Sequence, residues 1–160
     1  MTDVGAGLAA RDATAADTVE LVRLRAQMFE SMGLDVTDSG WRSSCEAHLA
    51  QMGTSALFGA VVDDPTGPGL VASGLVEVQQ RIPSPLSHNG RVAYVSSVCT
   101  DGAWRRRGLA RMVMNHLLYR LRAMDVTTVD LHTTLAGEGL YRELGFGSRP
   151  QPELRLQLRQ

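Results

Sequence analysis

Val98-Cys99-Thr100-Asp101-Gly102-Ala103-Trp104-Arg105-Arg106-Arg107-Gly108-Leu109-Ala110-Arg111 carries a β-rich run into a turn, and the turn straight into a helix. The run before it, Arg91 to Thr100, reads as a long strand. The segment after it, Arg106 to Met124, places Leu109, Val113, Leu117 and Leu121 on one stripe, flanked by Met112 and Met124. The first N–H groups of a helix have no internal acceptor, and the helix dipole is positive there. An anion such as a pyrophosphate satisfies both demands. Gly108 keeps a Cβ out of the ligand's way, Ala110 allows close packing, and Arg106, Arg107 and Arg111 add charged donors. The spacing therefore predicts a phosphate cradle.

Outward from this stretch, extended and helical patterns alternate. Leu8 to Arg11 reads as a short strand, with Met1 to Gly7 frayed before it. Thr14 and Asp17 form a capping-box start for a helix carrying Val19, Val22, Ala26 and Phe29, ended by Gly33. Asp38-Ser39 opens a second helix with Trp41, Cys45 and Leu49, ended by Gly53. Ala56 to Val62 and Leu70 to Gln79 are strands joined through Asp63 to Gly69. Ile82 to Gly90 is an irregular loop. After the central helix come a strand at Thr127 to Thr133, a short helix at Ala136 to Leu144 and a closing strand at Glu153 to Arg159. The order β-α-α-β-β-β-α-β-α-β predicts one α/β domain over residues 1–160, a mixed sheet flanked by helices.

Composition removes several classes of function. A net charge of −1 on 160 residues leaves no global basic field for nucleic acid or an anionic membrane. No apolar run approaches the roughly 20 residues of a membrane span. The opening Met1-Thr2-Asp3-Val4-Gly5 has no features of a secretory signal, and Cys45 and Cys99 make no disulfide framework, so a cytoplasmic setting is expected. All 16 basic residues are arginine. A Walker-type loop and side-chain Schiff-base chemistry, which need lysine, are therefore excluded. His48, His88, His116 and His132 are scattered, and no three ligands fall at close spacing, so no metal site is expected. Gly5-Ala6-Gly7-Leu8-Ala9-Ala10 spells a dinucleotide fingerprint but lacks the strand that must precede one. Ser96 and Ser97 lack His and Asp partners nearby, and Cys99 reads as a small buried thiol rather than a nucleophile.

Two motifs carry a family likeness. Arg105-x-x-Gly108-x-Ala110 resembles the R/Q-x-x-G-x-G/A signature of the GNAT superfamily of acetyl-CoA-dependent N-acetyltransferases. Ala136-Gly137-Glu138-Gly139-Leu140-Tyr141-Arg142-Glu143-Leu144-Gly145-Phe146 is similar to the family's second signature, A-x-x-x-L-Y-x-x-x-G-F. Their order, interval and upstream elements match the family layout across nearly the whole chain. The resemblance implies a GNAT-like fold with a mostly antiparallel sheet. It also implies that Val98, Cys99 and Thr100 hold the pantetheine arm of acetyl-CoA as an added strand would. Arg105, Arg106, Arg107, Gly108, Leu109, Ala110 and Arg111 would take the pyrophosphate. Where many relatives have asparagine seven residues before the tyrosine, this chain has Thr134, which puts that contact with cofactor or substrate in question.

Acetyl transfer from a thioester to an amine needs the oxyanion stabilised and the thiolate protonated. Tyr141 is the candidate acid, a phenol of ordinary pKa near ~10 facing a thiol near ~8.5. Two bases are open: Glu77, on the third strand, and His132, before the second motif; an amine that arrives neutral needs neither. The resemblance places the acceptor between the Gly33 to Trp41 and Arg81 to Gly90 loops, where Asp35 and Asp38 are available to an ammonium. A homodimer is common among relatives. The competing function is a module that binds acetyl-CoA or CoA as a sensor without chemistry; arginine-driven RNA binding is a third.

Overall fold

Strands β2 (Leu57–Asp63) and β3 (Leu70–Gln80) are buried along most of their length because helices cover both faces of the sheet they form. Alternation along β2 sends Phe58, Ala60 and Val62 to one face, and Leu57 and Val61 to the other. The computed structural model describes residues 7–159; the frayed start expected for Met1 to Gly7 lies, for residues 1–6, outside them. Strand β1 (Ala10–Asp12) pairs antiparallel with β2, β2 with β3, and β3 with β4 (Arg91–Thr100). The last strand, β5 (Thr128–Leu131), lies parallel to β4. The order β1-β2-β3-β4-β5 makes the mixed, mostly antiparallel sheet that the sequence predicts.

On one face, α1 (Thr18–Ser31) and α2 (Ser39–Leu49) cover Leu70, Leu75 and Cys99 with Leu21, Leu24 and Leu49. The Thr14 N–H donates to the Asp17 carboxylate at 2.8 Å, closing a short 3₁₀ turn at Ala15–Asp17 from which α1 departs. On the other face α3 (Leu109–Ala123) lays its whole predicted stripe, with Met114, against Val76, Ala93 and Val95. A short α4 (Glu138–Glu143) ends at Gly145, whose φ of 99° suits glycine.

Two boundaries differ from the sequence reading in ways that matter. The central helix begins at Leu109, not Arg106: Arg106 (φ 65°) and Gly108 (φ 77°) are both left-handed, so the arginines stand in the loop before the helix. The closing strand expected at Glu153 to Arg159 does not form. Its alternation is real, but a strand needs a paired neighbour, and Pro150 and Pro152 remove amide donors where pairing would begin. Leu154, Leu156 and Leu158 stand 92%, 81% and 84% exposed.

Candidate active site

The site is set by an irregularity in β4. Ser73 pairs with Cys99 and Leu75 with Ser96, so Ser97 and Val98 together occupy the position opposite Gly74. Ser97 adopts φ 53°, the left-handed conformation of a β-bulge. The Arg25 guanidinium on α1 donates to the Ser97 hydroxyl and fixes the bulge from the helix side. Its Cζ also lies 4.8 Å from the Phe29 ring centre. On the other edge, β4 and β5 pair only from Val92↔Thr128 to Val95↔Leu131. Beyond that the strands part, and on this side Ser96 to Thr100 have no neighbouring strand among the described residues.

That edge leads to the arginine loop. Asp101 accepts from the Ala103 N–H and from Arg23, which also holds Glu20 and the Leu70 carbonyl. From Arg105 to Arg111, no main-chain N–H has an acceptor among the described residues; the first helical bond runs from the Met112 N–H to the Gly108 carbonyl at 3.0 Å. A Cβ on Gly108 would meet nothing within 4 Å, so the cradle is open. Arg105 is extended and Arg106 and Gly108 are left-handed, an irregular turn of the kind that leaves successive N–H groups to an anion.

A cavity of about 1440 Å³ runs from this loop to the splayed strands. Val98, Cys99, Thr100, Arg105, Arg106, Gly108, Leu109, Ala110 and Arg111 line it, as do His132, Thr134 and Tyr141. Two residues predicted for the site do not. Arg107 stacks on Trp104 instead, 4.7 Å from the ring centre. Glu77 faces His48, Oε1 to Nε2 at 3.0 Å. Arg111 is held by Glu143 at the end of α4, joining the two sequence motifs through an ion pair. The Thr134 hydroxyl accepts from the Gly137 N–H at 3.3 Å and so shapes the start of α4 while lining the cavity. The Cys99 thiol is pushed up to about 12 by burial, as suits an inert core thiol.

Tyr141 packs edge-on against Phe146, centroids 5.9 Å apart, and burial raises its phenol above the ordinary range. Its hydroxyl has no hydrogen-bond partner among the described residues. It therefore stays protonated and has its donor free for a ligand. The acceptor loops contribute little: only Leu34 of the two lines the cavity. Asp38 caps α2 through the Gly40 N–H at 2.8 Å, and Asp35 accepts from the Thr37 N–H at 2.9 Å. The sequence reading missed Arg25, Tyr94 and Glu153, all on the cavity wall. Arg25 carried a usable signal, a charge set between Leu24 and Ala26 on a buried stripe.

A strand edge without a neighbour, running into free amides and arginines, defines a site for an elongated ligand that ends in an anion. The chain belongs to the Acetyltransferase (GNAT) family, whose sequence model matches residues 25–146. Its fold is shared with a GCN5-related N-acetyltransferase from Ralstonia eutropha JMP134: TM-score 0.79, 22% identity, covering 94% of this chain and 99% of that one. A predicted acetyltransferase from Clostridium acetobutylicum, solved with acetyl-CoA, superposes with TM-score 0.81 at 18% identity, covering 94% and 96%. Glucosamine-6-phosphate N-acetyltransferase from Arabidopsis thaliana follows at 0.73 and 16%, covering 93% and 97%. No curated protein matches the chain by sequence.

Proposed function

We propose that this chain moves the acetyl group of acetyl-CoA to a primary amine of a small molecule or peptide, with Tyr141 as the acid. The observation that carries the reading is one cavity lined by the Arg105 to Arg111 loop, whose main-chain amides have no acceptor among the described residues, by the edge of β4 beyond Val95, and by Tyr141, whose hydroxyl has no partner among them. These residues fit acetyl-CoA. The loop amides with Arg105, Arg106 and Arg111 would hold its pyrophosphate, and Val98 to Thr100 would hold its pantetheine arm through the main chain. When bound, acetyl-CoA supplies an acetyl thioester, already activated for attack by nitrogen.

The residues then divide the work. A main-chain N–H at the bulge, that of Val98, donates to the carbonyl oxygen as negative charge develops there. Tyr141 gives its phenolic proton to the departing sulfur and regains one from water. Of the two candidate bases, His132 lines the cavity and Glu77 does not, so the reading assigns the amine proton to His132. We place the protein in a reducing, cytoplasmic setting, in keeping with its two free thiols. A homodimer, common among relatives, is the assembly in keeping with the family likeness.

Calorimetry with acetyl-CoA, followed by thiol release across a panel of amines, tests this. Micromolar binding with amine-dependent release of CoA is expected. Binding without release from any amine would instead make the chain a sensor, and binding lost at moderate salt would point to a diffuse arginine surface.

A further inference from the structure

Three side chains from separate parts of the fold meet on the cavity wall where β4 and β5 part. Tyr94 lies on β4 one residue before Val95, and His132 follows β5 one residue after Leu131. Val95↔Leu131 is the last β4–β5 pair, so the two side chains flank the apex where the strands part. The Tyr94 hydroxyl is 2.5 Å from His132 Nδ1. His132 Nε2 is 3.2 Å from Glu153 Oε2, in the C-terminal segment where the expected strand does not form. All three line the cavity.

We propose that Tyr94, His132 and Glu153 form a proton relay for the acceptor amine, in which Tyr94 receives the proton, His132 stores it and Glu153 positions His132. The inference rests on the acetyl-transfer reading and deepens it. Both ring nitrogens of His132 are occupied, so neither is free to meet an amine directly. A carboxylate only accepts, so Nε2 carries the hydrogen toward Glu153, and Nδ1 offers its lone pair to the Tyr94 O–H. The remaining lone pairs of Tyr94 are the open end of the chain. As nitrogen adds to the carbonyl carbon and becomes cationic, one N–H proton passes to the Tyr94 oxygen while the Tyr94 proton passes to Nδ1. The amide nitrogen ends neutral, Tyr94 ends as a phenol, and His132 ends as an imidazolium beside the Glu153 carboxylate. That proton then returns to water. Burial raises the Tyr94 phenol above its ordinary range, in keeping with a group that is a phenol before and after the step. Arg25 from α1, Glu77 from β3, and Glu153 and Arg155 from the C-terminal segment are the charged groups facing Tyr94.

The test compares wild type with Y94F, H132Q, E153Q and Y94F/H132Q, reading thiol release against pH and acetyl-CoA affinity by calorimetry. Y94F should lower kcat/KM for the amine by about 10²-fold, the usual worth of one proton-transfer group, with acetyl-CoA affinity unchanged. H132Q should match it and lose the acidic limb of the pH profile. The double variant should be no worse than either, since the groups act as one unit. E153Q should cost less, and ¹⁵N NMR of that variant should show His132 losing the Nε2–H preference that the carboxylate imposes. Wild-type turnover with Y94F retaining rate and pH profile, or additive losses in the double variant, would overturn the relay alone. Wild type releasing no CoA with any amine would overturn the acetyl-transfer reading and the relay with it. The Nε2–H form of His132, read by ¹⁵N NMR of the free protein, is expected whatever the turnover; an Nδ1–H form would also sink the relay.

Discussion

Tyr141 differs from Tyr94, the other tyrosine on the cavity wall, in having no hydrogen-bond partner for its hydroxyl among the described residues. Tyr94 is already committed to His132, whereas Tyr141 is packed against Phe146, pushed up by burial, and free at its oxygen. Removing that oxygen should leave shape and cofactor grip intact. Tyr141→Phe is therefore expected to lower kcat by about 10²-fold while the acetyl-CoA Kd stays within twofold; an unchanged kcat, with chemistry shown to be rate-limiting, would take Tyr141 out of the mechanism. Tyr141 and His132 were both legible in the sequence, one through its motif and one through its chemistry. Tyr94 was not, because nothing in Val92-Ala93-Tyr94-Val95 distinguishes a relay tyrosine from an ordinary strand aromatic. Glu153 was legible only as part of a strand that does not exist.

Among the elements, the contact between α3 and β3 decides how β4 is shaped. Gly74 sits opposite the Ser97–Val98 bulge, and a Cβ there would lie 2.7 Å from Val113 Cγ1 and 3.0 Å from Leu117 Cδ1. The helix packs this close because the strand offers it no side chain. Gly74→Ala should cost about 1–3 kcal/mol by overpacking, a drop of roughly 3–10 °C in Tm for a domain of this size. An unchanged Tm by calorimetry would mean that α3 yields more easily than its buried stripe implies. The stripe itself was plain from the 3.6-residue period of Leu109, Val113, Leu117 and Leu121. The start of the helix was not, since Arg106 and Arg107 are good helix formers and only their left-handed or looped backbone excludes them.

Across the whole molecule, arginine–carboxylate groups tie the sheet to the helices around the site. Arg11 holds Asp17 and Asp63, linking β1, the turn before α1 and the end of β2. Arg23 holds Glu20 and Asp101, linking α1 to the entry of the arginine loop. Hydrogen bonds from these arginines keep Asp17 and Asp101 below the ordinary carboxylate range. A carboxyl with a depressed folded pKa adds stability above its unfolded pKa near ~3.9, and that stability is lost as pH falls through the folded value. Tm should thus be flat near neutrality and fall below about pH 5, and Asp17→Asn should make that fall shallower; an identical acid slope in the variant would show these pairs to be idle. Local sequence settled the type of every element through α4 and the Tyr141 motif, though not the closing strand or the loop before α3, because period, propensity and turn chemistry act over a few neighbouring residues. Only the tertiary structure decided where β4 and β5 part, which arginines face the cavity, that Glu77 turns to His48, and that Tyr94, His132 and Glu153 meet. Those outcomes depend on pairing register and on contacts between residues far apart in the chain, and no local pattern encodes either.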